Sequence, residues 1–339
     1  MASINRYLLS NFLYSFIPLF GTLFLIVSII FFMLIARVTA FIEIDFYELL
    51  QLYLFYMPRV FIFTMPISFF IAVGISLFKL SKESEIIVLF TLGYNPSKIK
   101  NLFLSIAFFI SLFLLFCGMI IVPIAQNLKE NFFDYKKTKA VINIKTGEFG
   151  QKFANWLVYI ESEKDDIYKD IFMYSPKDSN KDERIITARE GSVTNRAGYF
   201  VLELKSGKIY TNQKNSWHIT KFSKLSISST SNVEIKNPLS IKEYWQNVLN
   251  SKNGKQEFTI YVLASLFPLA GTLFAIGLGI VVYRYQQNGI YLGLFAVLFS
   301  YYAILMLLAN KPFIALPTIF FGFGLLSMLF YHFRIVKKF

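Results

Sequence analysis

Residues 11–36 read NFLYSFIPLFGTLFLIVSIIFFMLIA, without one Asp, Glu, Lys or Arg. A helix rises about 1.5 Å per residue, so about 20 apolar residues cross a hydrocarbon core of roughly 30 Å. Five further stretches meet the same test: residues 60–78, 102–126, 258–283, 285–310 and 312–333. Six transmembrane helices are therefore predicted. The first apolar run is too long for a signal peptide and lacks a small-residue cleavage site, so a retained helix is expected.

Composition agrees. The chain has 339 residues, 55% of them hydrophobic and 18% aromatic, with a mean hydropathy of +0.51, too apolar for a soluble fold alone. Net charge is +13, yet 22 of the 34 Lys and Arg and 16 of the 21 acids fall between Gln126 and Glu257. That middle segment reads as an ordinary charged domain. The remaining cations sit at the ends of apolar runs, as interfacial anchors do, which excludes a nucleic-acid footprint.

Orientation follows from the short loops. If the spans alternate, Arg6, Lys79, Lys82, Lys98, Lys100, Arg284, Arg334, Lys337 and Lys338 share one side. The positive-inside rule makes that side cytoplasmic, with both termini, and puts residues 127–257 outside. The expected organisation is a membrane α-helical protein: helices one to three over 1–126, an extracytoplasmic domain over 127–257, and helices four to six over 258–339.

Within the central domain, short alternating runs start at Trp156, Ile171, Tyr199, Lys208, Trp217 and Lys224. Turn signals separate them: Ser175-Pro176, Asp178-Ser179-Asn180, Asn195 to Gly198, Lys205-Ser206-Gly207 and Asn212 to Asn215. An all-β, jelly-roll-like insert is expected. Ser240 to Lys255 carries Ile241, Tyr244, Trp245 and Val248 at helical spacing, an amphipathic helix returning to the membrane.

Several chemistries lack their residues. No GxxxxGK[ST] loop is present, so ATP must be handled by another chain. The two histidines, His218 and His332, lie far apart without a metal-ligand pattern, and Cys117 stands alone in an apolar run. Neither catalytic residues, a metal site nor a cofactor of its own is expected. The spans carry no central acids or bases of the kind coupled carriers use as relays.

The loop Lys79-Leu-Ser-Lys-Glu-Ser-Glu-Ile-Ile-Val-Leu-Phe-Thr-Leu-Gly93 reads as a short helix. Ser81 or Ser84 is placed to cap it, Glu83 and Glu85 favour the positive end of its dipole, and Gly93 ends it. Ile86, Leu89 and Phe90 make an apolar ridge. Physics alone leaves two uses open, an interfacial helix lying on lipid or a docking helix for a partner.

Leu80-x3-Ser84-Glu85-x7-Gly93, with Ile86 and Val88, resembles the signature of the lipopolysaccharide-export permeases, the paired F and G subunits of an ABC transporter. Arg6-Tyr7-Leu8, Pro66, Gly147-x-Phe149, Val158-Tyr-Ile-Glu161, Pro268, Tyr301-Tyr302 and Leu316-Pro317 extend the resemblance through most of the chain. Glu83-Ser84-Glu85 and Gly147-Glu-Phe149 look more like the F type. One departure is the absence of a basic residue shortly after Glu257, where the family often has one.

The resemblance implies a bacterial inner-membrane subunit with a periplasmic central domain. It implies a sister permease, two copies of a cytoplasmic ATPase carrying ATP and Mg, periplasmic jelly-roll bridge proteins, and lipopolysaccharide as cargo. Residues 80–93 would form the coupling helix, with Glu83, Glu85, Ile86, Leu89, Phe90 and Gly93 meeting the ATPase. Arg37, Arg59 and Lys311, near the outer end of their spans, are candidates for lipid phosphate, Arg37 foremost because Arg binds phosphate bidentately. Interfacial snorkelling is the alternative for all three. Two rival functions remain: a membrane-anchored ligand-binding protein without an ATPase, and an ABC permease for another lipid.

Overall fold

The computed structural model describes residues 2–39, 45–142, 146–148, 150–153, 156–164, 167–176, 182–196, 199–213, 216–228, 240–281 and 289–337. Arg284, Lys338, Phe149 and the turn residues Asp178, Ser179, Asn180, Ala197 and Gly198 lie outside the described residues.

Six helical stretches among the described residues are long and apolar enough to cross a membrane: Ile4–Arg37, Phe46–Lys82, Pro96–Phe133, Lys252–Gly279, Ile290–Leu308 and Pro312–Val336. The elements behind them are α1 (Ala2–Thr39), α2 (Phe46–Lys82), a short α3 (Glu85–Thr91), α4 (Pro96–Phe116), α5 (Val122–Ile142), α6 (Ile241–Asn250), α7 (Lys252–Gly279), α8 (Ile290–Leu308) and α9 (Pro312–Tyr331). The chain divides into a helical unit and a second unit built on residues 129–238.

In the helical unit the most buried faces belong to α2 and α7, which touch along small residues. A methyl group added at Gly279 would lie 2.8 Å from both the Gly74 carbonyl oxygen and the Leu77 Cβ, closer than packed atoms tolerate. Leu77, Phe69, Phe70, Phe267 and Tyr301 fill the core. The sheath of exposed Leu, Ile and Phe on α1, α8 and α9 is what a lipid-facing surface requires.

Between α4 and α5 the helix widens into a π turn, Cys117–Ile121. A proline, Pro123, stands two residues further on. Pro123 has no N–H for the Met119 carbonyl four residues back, so that acceptor loses its helical donor. The Trp245 indole N–H of α6 donates to it at 3.0 Å. The predicted amphipathic helix thus becomes α6, started by a reciprocal Ser240/Glu243 capping box and clipped to the helical unit by its tryptophan.

The second unit takes in the C-terminal part of α5, from Lys129 to Ile142, and beyond it holds the expected β-domain. Its strands are β1 (Gln151–Phe153), β2 (Trp156–Lys164), β3 (Ile167–Ser175), β4 (Glu183–Arg196), β5 (Tyr199–Gln213) and β6 (Ser216–Ser228). They pair antiparallel in sequence order in one sheet, an up-and-down meander with no Greek-key crossover among the described residues. The Lys205-Ser206-Gly207 turn expected from sequence is instead a kink inside the 15-residue β5, so two predicted strands are one. The same holds for the runs at Trp217 and Lys224, both within β6. β4 carries no strict alternation and escaped the sequence reading.

The kink belongs to a crease. Glu161, Asp170, Arg189, Ser206 and Ser223 stand in one column across β2 to β6, and the ladder pairs residues on either side of that column but not within it. Asp170 and Ser206 have left-handed φ values of 52° and 50°, a conformation short polar side chains accept at modest cost. Alternation slips by one residue there. Ile160, Ile171, Ala188 and Phe222 face the apolar core on one side of the column, and Tyr168, Leu204 and Leu225 on the other. Both halves of the bent sheet therefore keep apolar side chains on the same enclosed face.

Candidate functional site

The segment between α2 and α4 is built as a braced loop. Lys82 ends α2, and Ser84 takes a left-handed φ of 60°, turning the chain before α3. Ser84 makes no side-chain cap. Ser81 does not cap α3 either: buried, it donates to the Gly279 carbonyl at 2.9 Å and accepts from the Val281 N–H at 3.2 Å. It closes the end of α7 instead, tying the loop's root to the centre of the bundle.

The C-terminal end follows the expectation for Gly93. With φ at 80°, Gly93 donates to the Phe90 carbonyl and Tyr94 to the Leu89 carbonyl, both at 3.0 Å, the paired bonds of a Schellman motif. Asn95 then accepts from the Ser97 N–H at 2.8 Å and Pro96 opens α4.

Two tyrosines strap this loop to the first turns of α1. The Tyr7 hydroxyl donates to the Glu85 carboxylate, and the buried Tyr94 hydroxyl donates to Asn5 Oδ1 at 2.6 Å. Burial raises the Tyr94 phenol above its ordinary range. Cations gather at this end and lie over aromatic rings: Lys98 over Tyr94, Lys100 over Tyr331, Arg334 over Phe330 and Lys337 over Phe333.

The ridge Ile86, Leu89 and Phe90 faces inward. Ile86 is 1% exposed, and Leu89 and Phe90 pack against the core cluster that contains Leu8, Phe12 and Tyr331. The outward face carries Glu83 with Val88, 53% exposed, and Leu92, 76% exposed. Sequence periodicity finds one apolar stripe on a helix this short, and here the stripe is used at home. Two large apolar side chains on the opposite face are the residues it missed, together with Tyr7, Tyr94 and Asn5.

The three cation candidates are not brought together. Arg59 is occupied: its guanidinium donates to Gln126 Oε1 at 3.2 Å and lies 5.9 Å from the Tyr56 ring centroid. Arg37, in the last turn of α1, and Lys311, ahead of α9, are exposed. No contact among the described residues joins either to Arg59.

The family described as lipopolysaccharide export system permease LptF/LptG matches residues 6–333. No curated protein matches the chain at a significant level.

Proposed function

Since the chain belongs to the lipopolysaccharide export system permease family LptF/LptG, we propose that it is one of two paired permease subunits in an inner-membrane ABC transporter. The pair lifts lipopolysaccharide from the membrane and passes it to periplasmic jelly-roll bridge proteins, while two copies of a separate cytoplasmic subunit hydrolyse ATP. Glu83-Ser84-Glu85 favours the F-type partner of the pair. The chain itself is non-catalytic.

The observation that carries this reading is α3. A seven-residue helix is too short to hold its shape alone, yet Ser81, the Schellman turn and two tyrosines fix it, with Val88 and Leu92 turned outward. Apolar groups at the centre of a docking face, rimmed by charge, are the usual anchors of a protein contact. We assign Val88 and Leu92 to the ATPase groove and Glu83 and Glu85 to its cations. Ile86, Leu89 and Phe90 transmit motion, because whatever shifts α3 must disturb α2 and the core cluster they pack into. Arg37 and Lys311 remain the cations for lipid phosphate at the outer face, and Arg59 orders α2 against α5.

The test is detergent co-purification of the tagged chain, with mass spectrometry of bound protein and lipid and an ATPase assay on the eluate. An ATPase, a second permease and lipopolysaccharide in the eluate are the expected result. A folded chain eluting alone without ATPase activity would sink the export reading in favour of the membrane-anchored ligand-binding protein.

A further inference from the structure

The outer face of the creased sheet carries a charge arrangement that its own stability does not explain. Lys205 and Lys224 stand directly opposite one another on β5 and β6, a like-charge pair that weakens a sheet. The sheet corrects it: Lys205 also faces Glu190 on β4, and Lys224 Nζ lies 2.9 Å from Glu203. On the other side of the crease Lys208 and Lys221 face each other in the same way, and the neighbour across β4 is Thr187, not an acid. Arg189 in the crease column adds a third cation. Asp170 lies opposite it in the register, yet no ion pair joins them, nor does either lysine have one, among the described residues.

These cations line an open groove of ≈ 880 Å³ that follows the crease. Its other wall is aromatic. Tyr159 and Phe172 stand directly opposite one another at the far end of the row that runs on through Thr187 to Lys208 and Lys221, and Phe172 is 42% exposed. Ser206 and Ser223 supply hydroxyls at the rim. Flat apolar surface on β2 and β3, the Thr187 hydroxyl between, and the Lys208–Lys221 pair on β5 and β6, with Arg189 on β4 and a single acid, Asp170, on the same wall, describe a site for a ring compound bearing negative charge.

We infer that this groove binds an anionic saccharide, a sugar whose ring lies on Tyr159 and Phe172 while its phosphate or carboxylate meets Lys208, Lys221 and Arg189. The choice of source rests on the export reading: the polar head of the cargo is a phosphorylated oligosaccharide, and the groove would hold it while the acyl chains travel elsewhere. The site opens on the outer face of the sheet, and its floor also touches Ile171, Ala188 and Phe222 of the crease.

The experiment is calorimetric titration of the purified full-length chain in detergent with deacylated, phosphorylated lipopolysaccharide oligosaccharide, with its dephosphorylated counterpart, and with inorganic phosphate. Saturable binding that weakens with salt is expected. It should fall at least tenfold for the dephosphorylated sugar and for the Lys208→Gln, Lys221→Gln double variant. Phe172→Ala should weaken the oligosaccharide, and Lys224→Gln, which removes a compensated lysine, should leave it unchanged. All four positions are exposed, and thermal unfolding of each variant verifies the fold. Unchanged affinity in the double variant, equal loss in Lys224→Gln, or phosphate binding as tightly as the oligosaccharide would overturn the inference. The titration needs neither ATPase nor sister permease, so its outcome is separable from the co-purification.

Discussion

Glu85 has two claimants, Tyr7 of its own chain and a cation of the ATPase, and their contributions differ enough in size to be told apart. The Tyr7 to Glu85 hydrogen bond lies on the surface, with Tyr7 43% exposed. A hydrogen bond to a charged group is worth about 1.5–3 kcal/mol when buried, and screening at an exposed site reduces it to about 0.5–1 kcal/mol. Tyr7→Phe keeps the carboxylate and deletes this bond, so it should weaken ATPase binding by about fivefold at most. Removing one member of a desolvated charge pair at an interface costs about 2–5 kcal/mol, and each 1.4 kcal/mol is tenfold. Glu85→Ala should therefore weaken binding by about 30-fold or more. The assay is titration of detergent-solubilised permease with purified ATPase, read by fluorescence anisotropy. A double variant that adds little to Glu85→Ala would confirm that Tyr7 acts only through the carboxylate. If Tyr7→Phe matches the full loss of Glu85→Ala, the carboxylate serves only to position α3, and the ion pair assigned to it is wrong.

Two further outcomes follow from packing. Trp245→Phe strands the Met119 carbonyl in an apolar setting, which should cost about 1–3 kcal/mol; the thermal midpoint should fall, whereas Trp217→Phe, an exposed control, should leave it in place. Gly279→Ala forces α2 and α7 apart along their closest approach and should lower stability by about 1–3 kcal/mol, with Gly21→Ala, where the added methyl meets nothing within 4 Å, as the neutral comparison in the same melting experiment.

The six spans were legible because the hydrocarbon thickness acts on the chain one residue at a time. Any run such as 11–36 or 312–333 must cross, whatever its neighbours do. The same local logic found Gly93, whose left-handed turn depends only on the residues beside it, and the Ser240 start of α6. What the chain alone left open depends on partners far away in sequence. Ser81 reads as a helix cap until Gly279, 198 residues on, is seen to take its hydroxyl. The ridge of Ile86 reads as a docking surface until it is seen buried in the core cluster beside α2, which leaves Val88 and Leu92 as the outward pair. Lys205-Ser206-Gly207 carries every sign of a turn, and only cross-strand pairing shows that it is one point of a crease running through five strands. Composition and period specify which segments are buried and in what solvent. Which face meets which neighbour is decided by tertiary contacts, because hydrogen bonds and close packing are satisfied in space and not along the chain.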